Sequence, residues 1–241
     1  MINIFDSEDK VLAAVADVIV SKAHEAIAQR ERFNIALSGG SSPKRLYELL
    51  ASERYRDRIE WNKVFFFFGD ERYVPLSHSN SNYLMAKKAL FEPLSIADAH
   101  VFPVNTALTP IEAAHDYELR LLHHFKDPHC SFDLVLLGLG DNSHTASLFP
   151  FTTVLQEQKA LVKEVYVDEV KMFRITFTAP LINAARAIVF LVYGASKAEA
   201  VYNILKGKEN MLAYPAQLIR PENGELLWFL DRPAAMRIVN S

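Results

Sequence analysis

The chain has 241 residues, 50% hydrophobic and 23% charged, which supplies apolar material for a sizeable core and excludes fibrous, collagenous and largely disordered classes. Lys and Arg total 26 against 29 Asp and Glu, a formal net charge of -3 without a block of like charge, so neither nucleic acid nor an anionic membrane is an expected partner. The single cysteine, Cys130, cannot form an internal disulfide or a cysteine-based zinc site, and together with the leaderless opening MINIFDSEDK it points to a cytoplasmic protein.

Taken in chain order, Val11, Ala14, Val15, Val18 and Ile19 fall on one stripe and predict a helix over residues 10–30. The run NIAL (34–37) then leads into Ser38-Gly39-Gly40, and VFFFF (64–68) leads into Gly69. Helical spacing returns over residues 82–91 and again over 110–125, where Thr109 is the expected N-cap and Pro110 the first helical residue. FDLVLL (132–137) leads into Gly138 and Gly140, and IVFLVY (188–193) into Gly194. These runs are short, continuous and rich in β-branched or aromatic residues, as strands covered on both faces are. Strand alternating with helix predicts an α/β fold: a mainly parallel sheet with helices on both faces, Rossmann-like and doubly wound, in one domain over residues 1–241.

In such a sheet ligands bind beyond the carboxyl ends of the strands, where helix N-termini present free N–H groups. Six of the eight glycines mark those ends. At the first, Gly39 and Gly40 allow close backbone approach, and Ser41, Ser42 and a helix start suit an anion such as phosphate. At the second, Asp70, Glu71 and Arg72 concentrate charge beside a buried strand. At the third, His144 follows a turn and precedes a predicted short apolar helix, a position from which a general base could face a ligand. The fourth, Gly194-Ala195-Ser196-Lys197, is one residue short of a nucleophile elbow, but no histidine follows His144, so the Ser–acid–His order fails and Lys197 is read as an anion ligand. His115, His123, His124 and His129 cluster near Cys130 without metal-ligand spacing; a wet helix face and no metal are expected.

The blocks ALSGGSSPKRLYELL, FFFGDERYVPLSHSNSNY, FDLVLLGLGDNSHTASLFP, RITFTAPLINAA, IVFLVYGASKAEAV and PAQLIRP, with a trailing WFLDRPAA, together resemble the 6-phosphogluconolactonase family, in its order and over most of the chain. The resemblance implies hydrolysis of 6-phosphoglucono-1,5-lactone without a cofactor or metal. It implies His144 as the general base for water, phosphate binding by the Ser41-Ser42 turn, Arg174 and Lys197, and Arg72 lining the same pocket. Asp70 lies at that mouth as a second catalytic candidate. The implied partner is a phosphosugar lactone; separately, a monomer or small homo-oligomer is expected. The chain departs from the family pattern in two places: Asn142-Ser143 stands where Asp-Gly usually precedes the histidine, and Phe151 where a glycine often follows the proline. If these turned His144 into the core, Asp70 would be left to activate water.

Glucosamine-6-phosphate deaminase/isomerase is the nearest rival reading. It needs carboxylates at positions held here by Asn142 and Phe149. A non-catalytic phosphosugar-binding module would keep the anion corners without needing a base.

Overall fold

The computed structural model describes residues 1–239. Among them, six strands form one sheet in the order β1 (Ile2–Phe5), β9 (Glu225–Asp231), β8 (Ala187–Val192), β5 (Leu134–Leu137), β2 (Phe33–Leu37) and β3 (Val64–Phe68), every neighbouring pair parallel. The apolar runs are continuous because successive side chains enter opposite cores. Ile35, Leu37, Phe66, Phe68, Leu134, Leu136, Val189 and Leu191 pack under α1 (Glu8–Arg30) and α2 (Ser41–Leu50). Ala36, Phe67, Val135, Leu137, Ile188 and Phe190 face α4 (Pro110–Phe125), α5 (Ala179–Asn183), α6 (Ala198–Leu205) and α7 (Arg232–Val239). Helices on both faces of a parallel sheet make the fold doubly wound, in agreement with the pattern of the sequence.

Local chemistry sets the helix limits. Ser7 accepts from the Lys10 N–H at the start of α1, and Thr109 and Glu112 form a capping box ahead of Pro110 on α4. The predicted helix over 82–91 is two pieces, α3 (Asn82–Ala86) and one π-helical stretch, Lys87–Phe91. The helix expected after His144 does not form: Ala146 adopts φ 48° and Phe151 φ 61°, left-handed values that end any helix, and residues 145–148 close a tight turn instead.

A second sheet, antiparallel, has the order β4 (Asp70–Arg72), β7 (Met172–Phe177), β6 (Val162–Val167) and was not foreseen. Gly69 is its joint to the main sheet, donating to the Leu37 carbonyl at 2.9 Å and accepting from Phe177 at 2.8 Å.

Candidate active site

From β2 the chain winds outward to β3, whereas from β5 it winds the other way to β8, so the crevice between the ends of β2 and β5 is the topological switch point. A cleft of about 550 Å³ opens there. Gly39, Gly40, Ser41, Ser42, Asp70, Arg72, His144, Arg174 and Lys197 all line it.

The β2 corner is held from behind. Tyr47, buried on α2, donates to the Ser38 carbonyl at 2.8 Å and accepts from the Ser38 N–H at 3.0 Å. Gly39 is obligatory, since a Cβ there would stand 2.0 Å from Asn82 Oδ1. Gly40, at φ 107°, begins α2 without a side-chain cap, so the first N–H groups of the helix stay free for an anion.

Strand alternation divides the Asp70-Glu71-Arg72 trio. Glu71 faces away from the cleft and is fully buried; it accepts from the N–H groups of Arg72, Asn82 and Tyr83 at 2.7, 2.7 and 2.9 Å and from the Ser81 hydroxyl at 3.1 Å. Burial raises its pKa while these donors oppose the rise, and its work is to seat α3. Asp70 and Arg72 point into the cleft, where Asp70 accepts from the Ser147 hydroxyl at 2.6 Å.

Arg72 and Arg174 are cross-strand partners of β4 and β7. The Nε of each is buried without a hydrogen-bond partner, although Arg72 Nη1 donates to the Asn80 carbonyl at 2.7 Å. Burial lowers the Arg174 pKa, Asp70 opposes, and the charge of Arg72 adds to the lowering. Two guanidinium groups short of acceptors suit a multivalent anion.

His144 lies in the cleft wall, half-buried, not in the core. Its ring stacks on Phe149 with centroids 3.9 Å apart, and a Cβ on Gly140 would stand 2.1 Å from its Nδ1. Ser143, at φ 67°, adopts the left-handed turn that a glycine would take at no steric cost. His144 Nδ1 lies 2.5 Å from Asn142 Oδ1. Burial lowers the His144 pKa to about 4, against the pull of Asp70 and with the help of Lys197 and Arg174. The imidazole is therefore neutral at pH 7 and retains a lone pair for a proton.

Lys197 sits in a turn before α6 and pairs with Asp141 at 2.6 Å across the cleft mouth. Gly194 ahead of it, at φ 96°, is tied down by Asp231, whose two carboxylate oxygens lie 3.0 and 3.1 Å from the Gly194 N–H.

The other histidines divide differently from the expectation of one wet face. His115, His123 and His129 are exposed, but His124 is half-buried among Phe65, Phe67, Phe102 and Phe125 and bonds Asn34 Oδ1 at 2.8 Å. Burial lowers its pKa to about 4 as well, so a shifted imidazole alone does not mark a base; what sets His144 apart is that it lines the cleft. Cys130 is buried, and burial raises its thiol to about 12. Among the described residues, no group of three or more His, Cys, Asp or Glu is arranged to hold a metal ion.

Ser147, behind Asp70, and Glu169, 2.9 Å from Asn142, escaped the reading of individual residues. Ser147 lies inside the quoted HTASLFP block, whereas Glu169 occupies an exposed turn with no motif around it.

The fold and cleft define a doubly wound α/β protein with a neutral histidine and two cationic corners at its switch point. The family model described as glucosamine-6-phosphate isomerases/6-phosphogluconolactonase matches residues 6–228. The chain is similar to a 6-phosphogluconolactonase of Nostoc sp., 40% identical with 98% of each chain covered, and to one of Synechocystis sp., 44% identical over 90% of this chain and 89% of the other. Its structure is similar to that of 6-phosphogluconolactonase from Trypanosoma brucei, with a TM-score of 0.86 and 31% identity over 99% of this chain and 98% of that one. The chain belongs to the glucosamine-6-phosphate isomerase/6-phosphogluconolactonase family.

Proposed function

We propose that this protein hydrolyses 6-phospho-D-glucono-1,5-lactone to 6-phospho-D-gluconate, the step of the oxidative pentose phosphate pathway. The observation that carries this reading is one cleft holding both a neutral histidine anchored at Nδ1 and two guanidinium groups with unpartnered Nε atoms. The phosphate is held by Arg174, Lys197 and the Gly39–Ser42 corner, with Arg72 lining the same space; this anchoring orients a carbonyl remote from the charge. His144 takes a proton from water, the oxygen attacks the lactone carbonyl, and the imidazolium returns the proton to the ring oxygen as the C–O bond breaks. Asp70 favours that imidazolium, since its charge raises the His144 pKa. The lactone needs no cofactor for this chemistry.

Phe149 stacks on His144 at the place where aldose–ketose chemistry calls for a carboxylate, and Asn142 is an amide, which disfavours the deaminase reading. The chain works as one domain, in the cytoplasm, as a monomer or small homo-oligomer; among the described residues no helix is long and apolar enough to cross a membrane.

The test generates the lactone in situ from glucose 6-phosphate and its dehydrogenase and follows its loss against a no-enzyme control. Catalysed loss is expected, with no ammonia from glucosamine 6-phosphate. Ammonia release at a matching rate would replace the assignment by the deaminase, and phosphosugar binding without turnover by a sensing module.

A further inference from the structure

We propose that Glu169 is a positioning residue that selects the tautomer of His144 through Asn142. This rests on the reading of His144 as the base. Glu169 lies in the turn Asp168–Val170 that joins β6 to β7, and both it and Asn142 line the cleft. Asn142 Nδ2 donates to Glu169 Oε2 at 2.9 Å, while Asn142 Oδ1 lies 2.5 Å from His144 Nδ1 and accepts from the His144 N–H at 3.3 Å.

The direction of this chain is fixed at its outer end. A carboxylate offers only acceptors, so the amide must turn its NH2 toward Glu169 and its oxygen toward the ring. An oxygen can only accept, so the ring proton sits on Nδ1 and the lone pair on Nε2. Were the amide to flip, its NH2 would face Nδ1, the proton would move to Nε2, and the base would lose its lone pair on that side. Without Glu169 only the longer bond from the His144 N–H opposes the flip.

The test uses the full-length protein and two readouts, steady-state lactone kinetics and the 15N shifts of the His144 ring. Wild type should show a protonated Nδ1 and a bare Nε2. Glu169→Ala, a change at an exposed turn, should populate the other tautomer and lower kcat about tenfold with KM little changed. Glu169→Gln should restore both, because its carbonyl still accepts from Asn142. In an Asn142→Asp background, where Glu169 faces a like charge, Glu169→Ala should raise kcat instead of lowering it. An unchanged tautomer and kcat in Glu169→Ala, or equal losses in the Ala and Gln variants, would overturn the proposal. A tautomer shift in a protein without lactonase activity would keep the relay and reject the function.

Discussion

The six-stranded parallel sheet and the three-stranded antiparallel sheet meet at Gly69 and divide the work unequally. The central strands of the parallel sheet, β2, β3, β5 and β8, are covered on both faces, and that sheet contributes glycine-marked corners: backbone N–H groups at Ser41 and Ser42, the His144 turn after β5, and Lys197 after β8. The small sheet is half-exposed and carries Asp70, Arg72 and Arg174, with Glu169 at its tip. A strand with one wet face can aim charged side chains sideways into a cleft, which a strand covered on both faces cannot. The scaffold thus sets where the cleft lies, and the appended sheet supplies much of its charge.

Substitutions on the two sides should separate these contributions. Leaving His144 itself aside, the largest effect on turnover is expected at Gly140, on the parallel side, where Gly140→Ala places a Cβ 2.1 Å from His144 Nδ1. The ring must move by about 1 Å, a displacement worth about 10² in kcat, with binding of 6-phosphogluconate retained. Unaltered kcat would show that the ring position does not matter. Next comes Arg174→Ala, on the small sheet, which should weaken discrimination for the phosphorylated over the unphosphorylated lactone by about 1.5 to 3 kcal/mol in kcat/KM. Lys197→Ala should act in the same direction by less, because Lys197 already pairs with exposed Asp141. If neither variant changes the preference, the phosphate lies elsewhere. The smallest effect is expected at Phe151, 77% exposed at φ 61°, where Phe151→Gly should stabilise the fold by roughly 0.5 to 1 kcal/mol without altering turnover. Loss of stability in denaturant titrations would mean that its side chain packs more than its exposure suggests.

Burial on both faces, more than membership of either sheet, governs what the sequence revealed. β2, β3, β5 and β8 were legible because burial on both faces gives unbroken apolar runs that end at glycine. β1, β6 and β7 carry exposed positions such as Ile2, Tyr166 and Phe173, so no such run marks them. The site residues taken from whole sequence blocks all reach the cleft: Gly39 to Ser42, His144 and Lys197 from the corners that follow β2, β5 and β8, and Asp70, Arg72 and Arg174 from strands β4 and β7. Glu71 reads like its neighbours Asp70 and Arg72, and only strand alternation, invisible without the β4 assignment, turns it toward α3. His124 looked solvated in a polar HH pair, yet its cage comes from Phe65, Phe67 and Phe102, all distant in sequence. The helix expected after His144 failed at Ala146, whose left-handed backbone no residue-type rule foretells.

Activity per folded molecule of His144→Ala against Asp70→Asn, followed across pH and corrected for spontaneous hydrolysis, tests the central claim most directly. Burial keeps the His144 pKa near 4, so the proposed base is neutral above that pH and would be lost by protonation below it. The wild-type kcat/KM should therefore show a falling acid limb centred near pH 4, well below the ordinary 6.5, and that limb should be absent in His144→Ala. The variant should fold, bind 6-phosphogluconate and lose about 10² to 10⁴ in turnover. Near-wild-type turnover in folded His144→Ala, with the loss falling on Asp70→Asn instead, would contradict the account and assign the activation of water to Asp70.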